Sequence, residues 1–537
     1  MGRPERLADL IAAVALAIVA ILALWTFRDY GLGWDDYTHA QYGQLLLGYY
    51  QSGLTDKRAL SFVNLFMYGG GFDMAAGLLD RVTPFDLFET RRLLGAATGL
   101  VGLAAVWRIG RRLGGPVAGL LALLLLATCP LYYGHMFINP KDAPFAVAMT
   151  VLLLALVRAL DEYPKPSIGT LVLFAAGLGF SVGSRILGGM SALYMIVPIG
   201  MLMGTRTRVA GAPAALREFG RFVLLLLPGV IGAYVIMALV WPWSVQEPLN
   251  PFRAIGYFSH FFEKPWKEMF EGVPIAVPDM PRSYVPLLFA LKLPEILLAF
   301  GLAGAGGAIL AAWRDDIPIR HRAIYVLLVF AALTPVAIAV ATRPAMYNGI
   351  RHFVFVVPPF AVLGSLAGTW IIRRLGGITA PRAIAAAWLM AAALLVPVTD
   401  MVRIHPYQYA SFNRISGGIY EADERYMLDY WGLAFKEAAQ QLRAKLTENL
   451  EVPPKRRWRI AVCGPHASAE VELGPEFSTT WDPKGADFAM MLGSYYCAEL
   501  DAPILVEVER EDVIFARVYD IRGRTITSLF NPASSAQ

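Results

Sequence analysis

Gly33-Trp34-Asp35-Asp36-Tyr37-Thr38-His39-Ala40-Gln41-Tyr42-Gly43 comes shortly after the first long apolar segment of the chain. Two adjacent carboxylates thus sit where the chain leaves an apolar phase, between aromatic residues suited to a membrane interface. A helix beginning at Asp35 would carry both Asp residues in its first turn, where anionic side chains are favoured. Asp35 and His39 would then share a face at i, i+4. The bland reading is a helix cap with a solvated acidic pair, since Asp is a preferred cap. The rest of the chain decides between that reading and a functional one.

The 537 residues are 56 % hydrophobic and 17 % charged, with a mean hydropathy of +0.50. A soluble protein carries nearer a quarter charged residues. The long apolar runs define a polytopic helical membrane protein. The net charge of +5 is modest, and its Arg residues lie in short clusters between apolar runs, which marks topology rather than a nucleic-acid footprint. Three cysteines occur, at spacings that match no metal site. Leu7–Phe27 is too long for a signal-peptide core and no small-residue cleavage site follows, so it reads as a retained anchor.

Counting stretches of about 20 mainly apolar residues gives eleven segments. They are Leu7–Phe27, Leu93–Trp107, Val117–Tyr133, Pro144–Val157, Ile168–Gly183, Leu187–Met203, Phe222–Trp241, Pro286–Ala312, Ala323–Thr342, His352–Ile372 and Ala383–Val402. Lys and Arg are more than twice as dense in one set of loops as in the other, so that set is cytoplasmic. The N-terminus is then inside, and an odd count puts the C-terminus outside. The expected organisation is an all-α membrane domain over residues 1–402, followed by a small external α/β domain over 403–537. Two long external loops, 28–92 and 242–286, interrupt the membrane domain. Gln44–Tyr50 and Phe72–Leu79 read as amphipathic helices on the membrane surface, hinged at Gly69-Gly70-Gly71. Beyond residue 403, Ala422–Leu450 reads as one helix. Arg459–Val462, Phe488–Met491, Ile504–Val508 and Val513–Tyr519 read as strands, the last two joined as a hairpin. The last ten or so residues read as frayed. An oxidising compartment would permit a disulfide between Cys463 and Cys497.

The strongly polar clusters at membrane boundaries all fall on the external side. One is His135-Met136-Phe137-Ile138-Asn139-Pro140-Lys141-Asp142, where Asp142 would equally serve as a cap of the next helix. Arg185 sits between two segments with almost no loop around it, and an Arg so near hydrocarbon needs a partner. Tyr347-Asn348-Gly349-Ile350-Arg351-His352 opens the tenth segment. Carboxylates and cations gathered on one face suit transfer chemistry. Asp35, Asp36 and Asp142 are the candidate catalytic carboxylates: Asp35 would be the general base that deprotonates an acceptor hydroxyl, with Asp36 and Asp142 as support or alternates. Lys141, Arg185 and Arg351 would hold a phosphate leaving group. His39, Tyr347, Asn348 and His352 are candidate substrate contacts. A divalent cation on the three Asp residues is chemically reasonable, although no spacing demands one. The cytoplasmic segments hold no nucleotide-binding glycine loop, so the energy must arrive in a preactivated lipid substrate.

These residues also carry a resemblance. Asp35-Asp36 in the first external loop, the surface helix behind it, Asn139-Pro140-Lys141-Asp142, Arg185 and the external C-terminal domain are similar to features of the GT-C membrane glycosyltransferases. Within that class the chain resembles the superfamily of protein O-mannosyltransferases and lipid A aminoarabinose transferases. The likeness covers about three quarters of the chain. It implies an inverting transfer of a sugar from a polyprenyl-phosphate donor to an acceptor hydroxyl at the periplasmic face of a bacterial inner membrane. The acidic pair departs from the family's usual Asp-Glu, and the spacing to His39 differs by one. A flippase for a lipid-linked sugar is the alternative. Transporters, however, place polar residues near the midplane on broken, repeated helices, and here the segment interiors are almost free of charge.

Overall fold

The computed structural model describes residues 3–259 and 266–531. The chain opens with α1 (Arg3–Thr26), the surface helices α2 (Asp36–Gln51) and α3 (Gly71–Leu79), and then α4 (Leu87–Gly114). The last of these begins more than a turn before its apolar run. Asp86 caps it by accepting the N–H of Phe88 and of Glu89, each at 2.8 Å. That early start puts Arg91 and Arg92 on a rigid helix instead of in a loop.

The third apolar segment is broken into α5 (Pro116–Ala127) and α6 (Pro130–Ile138), which meet at 64°. Pro130 has no N–H to donate and forces the residue before it out of the helical region. Then come α7 (Asp142–Asp161), α8 (Ile168–Ser184), α9 (Ser191–Ala210), α10 (Ala212–Val240) and the short α11 (Asn250–Ser259). A small hairpin follows, β1 (Lys267–Phe270) with β2 (Val273–Ala276). The eighth segment is likewise divided, by Leu293-Pro294, into α12 (Tyr284–Lys292) and α13 (Glu295–Ala312). The last membrane helices are α14 (Ile319–Thr342), α15 (Val357–Arg374), entered through a 3₁₀ turn at Arg351–Val356, and α16 (Pro381–Arg403).

Among the described residues nine helices are long and apolar enough to cross a membrane, or ten if the bent α5–α6 pair is one span. The one counted segment left over is the fifth, Ile168–Gly183, which is α8, whose 17 residues reach about 25 Å against a hydrocarbon core of about 30 Å. Within the bundle α7 is the central helix. Of its most apolar window 83 % is buried inside the protein, against 17 % for α1 and for α10. The residue at its N-terminus therefore faces protein, not lipid.

Beyond α16 the expected single helix over Ala422–Leu450 is replaced by α17 (Gly418–Asp423) and α18 (Phe435–Glu448). Between them the chain turns tightly. Asp429 accepts the N–H groups of Gly432, Leu433 and Ala434 at 2.8, 3.0 and 3.1 Å, and Gly432 takes φ +79°, a conformation that favours glycine. The four expected strands form, as β3 (Trp458–Cys463), β5 (Phe488–Leu492), β6 (Ile504–Arg510) and β7 (Val513–Asp520). Also present are α19 (His466–Leu473) and the edge strand β4 (Phe477–Thr480). The sheet order is β4-β3-β5-β7-β6, with β3 parallel to both its neighbours and β7 antiparallel to both of its own. Cys463 and Cys497 form a disulfide, and Cys129 is free and buried. The expected fraying of the last residues falls mostly on 532–537, outside the described residues.

Candidate active site

The two adjacent aspartates are placed very differently. Asp36, the first residue of α2, is fully buried. Its carboxylate accepts two bonds from the Arg92 guanidinium, at 2.6 and 3.0 Å, and the N–H of Gly33 at 2.8 Å. Arg91 lies 3.9 Å away. These bonds saturate it and leave no face toward a substrate. Asp35 occupies the cap position but makes no capping bond. It is about a third exposed and pairs with Lys141 at 3.2 Å. Burial raises its pKa, but Lys141, Arg351 and His39 outweigh that and hold the carboxyl well below the usual carboxylate range.

Asp142 is also free of a capping role, because Asn139 takes it. The Asn139 side-chain oxygen accepts the N–H of Lys141 and of Asp142, at 3.1 and 2.8 Å. The Asp142 carboxylate, 2 % exposed, is thereby left to bind Arg185 through one oxygen, and Arg351 at 3.3 Å and the Asn139 amide at 2.9 Å through the other. Arg185 projects from an extended residue between α8 and a 3₁₀ turn. Lys141 and Arg185 both lie against the ring of Tyr68, at 5.3 and 5.6 Å from its centroid. Asp35, Lys141, Arg185, Asp142 and Arg351 are therefore one connected cluster. It sits where α7 and the Arg351 turn begin and α8 ends.

The other expected contacts split. Tyr347 packs edge-on against His352, and the Arg351 guanidinium lies 4.9 Å from the Tyr347 ring. The Nδ1 of His352 and the Oδ1 of Asn348 are buried without a hydrogen-bond partner among the described residues, so both are open to a ligand. His39 is not turned to Asp35. Its Nδ1 bonds Asp73 at 2.7 Å, and Asp73 in turn accepts from Arg91 at 2.6 Å.

Several residues that hold the site were invisible in the sequence. Glu268 of β1 accepts the N–H of Asn348 and of Gly349 and the hydroxyl of Tyr284. It thus pins a turn in which Asn348 and Gly349 have φ +56° and +65°. Trp431, in the Asp429 turn, donates its indole N–H to Ile138 O at 3.1 Å and accepts the N–H of Trp34 on its own carbonyl at 3.1 Å. Its ring lies 4.9 Å from the Arg351 guanidinium. Gly33 packs so closely on this ring that a Cβ there would stand 1.9 Å from it. One side chain from the part of the chain after α16 therefore touches both acidic loops and a cation. No spacing rule in the sequence brings Trp431 to Gly33; only the split of the expected helix exposes it.

Among the described residues no group of three His, Cys, Asp or Glu side chains is placed to hold a metal ion. Asp35, Asp36 and Asp142 are instead each paired with Lys or Arg, which fits the cluster for a ligand that brings its own negative charge.

Residues 86–241, from the cap of α4 to the end of α10, match the family described as dolichyl-phosphate-mannose-protein mannosyltransferase. The match covers less than a third of the chain and contains Arg91, Arg92, Lys141, Asp142 and Arg185. No curated protein sequence matches significantly. Solved structures also align at low identity, among them the following three. ArnT from Cupriavidus metallidurans bound to undecaprenyl phosphate aligns over 96 % of this chain and 99 % of its own, at 15 % identity and a TM-score of 0.46. The apo Archaeoglobus fulgidus oligosaccharyltransferase aligns over 90 % and 65 %, at 14 % identity and 0.49. AglB from the same organism, with an inhibitory peptide and a dolichol-phosphate, aligns over 89 % and 69 %, at 12 % identity and 0.47.

Proposed function

We propose that the protein moves a sugar from a polyprenyl-phosphate donor to an acceptor hydroxyl, by inversion, at the external face of a bacterial inner membrane. The observation that carries this reading is the cluster itself. A partly exposed carboxylate, Asp35, pairs with Lys141 and feels the charge of Arg351, and Arg351 and Arg185 are in turn already oriented by Asp142. The acceptor oxygen attacks the anomeric carbon while its proton passes to the Asp35 carboxylate. The bond from that carbon to the phosphate oxygen breaks, and the electron pair leaves with the phosphate. Negative charge therefore grows on the leaving group, where Lys141, Arg185 and Arg351 stabilise it more in the transition state than in the ground state. Asp36 takes no part in these transfers. It anchors Gly33 and the start of α2 to Arg92, and so fixes where Asp35 points. The open Asn348 and His352 groups are placed to receive polar groups of the donor. Arrival of the phosphate also draws Lys141 away from Asp35, which makes that carboxylate a stronger base when it is needed.

The purified protein, given a panel of polyprenyl-phosphate sugars, should release polyprenyl phosphate from one of them in the presence of acceptor lipid or glycan extract. Arg185→Lys should lower that turnover although charge is kept, because the planar two-pronged fork is lost. Release that is unaffected by both Asp35→Asn and Arg185→Lys would overturn the assignment.

A further inference from the structure

A second basic site lies at the far ends of the helices that build the first. Asp142 and Arg158 stand at opposite ends of α7, roughly 24 Å apart along the axis. Around Arg158, together with Arg108, Arg111 and Arg112 near the end of α4, is a cavity of about 420 Å³. Its wall toward the membrane interior is apolar, built from Val101 and Ala105 of α4, Leu154 of α7 and Leu173 of α8. The site is open sideways to lipid, since Val101 is 53 % exposed.

The carboxylates that face these arginines do not use them up. Arg111 is held by Asp9 at 2.8 and 2.9 Å, and Arg112 by Asp161 at 2.8 Å. Glu162 lies 3.5 Å from Arg158 and 3.9 Å from Arg112, and Glu5 adds its charge beside Arg111. Arg158 also donates to Ser167 at 3.2 Å, while its Nε is buried without a partner. Arg108 is exposed and has no hydrogen bond or ion pair among the described residues; the ring of its neighbour Trp107 lies 6.0 Å away. The rim thus presents one uncommitted guanidinium beside a second that is only partly engaged.

We infer that this cavity binds an anionic phospholipid of the leaflet opposite the candidate active site. The headgroup phosphate would sit against Arg108 and Arg158, with an acyl chain along the apolar wall. Basic rims between membrane helices recognise anionic headgroups in this way. The layout argues for an amphiphile rather than a free anion, because most of the wall offers nothing to an ion. It argues for net negative charge because a zwitterionic headgroup would bring its own cation up to Arg108. A lipid wedged between the ends of α4, α7 and α8 would brace the three helices whose other ends carry Arg92, Asp142 and Arg185.

The test measures binding, not transfer, so it stands apart from the proposed reaction. The intact protein is released from nanodiscs of equal phosphatidylglycerol and phosphatidylethanolamine, and retained lipid is counted by native mass spectrometry. Phosphatidylglycerol should be retained at least about threefold over phosphatidylethanolamine and should raise the melting temperature, with inorganic phosphate having no such effect. Arg108→Gln should lose most of this preference. Val101→Trp, which fills the wall and keeps every charge, should lose retention as well. Arg217→Gln, a basic change away from the cavity, should leave both intact. Equal retention of the two lipids, unchanged retention in Arg108→Gln or Val101→Trp, an equal loss in Arg217→Gln, or equal stabilisation by inorganic phosphate would each overturn the inference.

Discussion

Asp35 and Asp36 are neighbours in sequence and opposites in environment, and their mutants should separate cleanly. Asp35→Asn should cut transfer by about 10²–10⁴-fold, the usual worth of a general base, and leave the melting temperature nearly unchanged. Asp36→Asn should instead lower stability by about 3–5 kcal/mol, because it strands Arg92 as an uncompensated buried charge; a thermal or denaturant melt measures this. A pH profile gives a second check. The cations around Asp35, Lys141 first among them, hold its pKa below the usual range against the effect of burial. The carboxylate is therefore ionised from neutral pH down to at least the ordinary carboxylate value of about 4. The kcat/KM profile, which reports the free enzyme, should show no acid limb from Asp35 above that value. Lys141→Gln removes the largest opposing charge, so the pKa rises and an acid limb should move up in pH. A profile identical in shape to the wild type would detach Asp35 from the rate. The acidic pair itself was legible in the sequence. The difference between their surroundings was not, because Arg92 belongs to a helical turn that hydropathy alone leaves in the loop.

Elements were read best where one physical signal acts alone. Apolar length located the membrane helices, and alternation located four of the five strands of the C-terminal sheet. The errors fall where a single residue overrides the pattern. Pro130 breaks one segment, Pro294 breaks another, and the Asp429 turn with Gly432 at φ +79° interrupts what its apolar period presents as one helix from Ala422 to Leu450. That last error hid the most consequential contact between the two parts of the chain. Trp431→Phe keeps a ring against Gly33 and Arg351 but removes the donor to Ile138 O. Small displacements of reacting groups cost up to about a hundredfold in rate. Turnover should therefore fall by roughly ten- to a hundredfold while the melting temperature and the far-UV circular dichroism hardly move. If turnover is unchanged, the indole bond does not set the position of the Asn139–Asp142 loop. A large loss of stability would make the bond a fold contact instead.

For the molecule as a whole, chain direction adds what helix length leaves open. Arg185, at the end of α8, reaches back to Asp142, at the start of α7. At the other end of this hairpin, Glu162 accepts the Thr170 hydroxyl at 2.7 Å. The shorter α8 therefore runs alongside α7 and returns the chain to the side from which α7 left. With α8 counted and α5–α6 taken as one broken passage, the crossings among the described residues are odd in number, which would put the residues before α1 and those after α16 on opposite sides. We propose from the Lys and Arg bias that the arginine-rich ends are inside; the candidate site and the sheet domain would then lie outside, where an oxidising compartment suits the Cys463–Cys497 bond. Cysteine labelling can test this, provided the probe positions are exposed. Ser468 is unsuitable because it is 1 % exposed and its hydroxyl donates to Gly33 O at 2.8 Å. Lys484, in the loop before β5, and Arg382, in the first turn of α16, are both exposed. The native cysteines stay silent, two in the disulfide and one buried. In intact spheroplasts an impermeant maleimide should label Lys484→Cys at once and Arg382→Cys only after permeabilisation. The reverse pattern would invert the protein and put the cluster of Asp35, Lys141 and Arg185 on the cytoplasmic side, and labelling of both before permeabilisation would show that the two positions do not lie on opposite sides of a membrane.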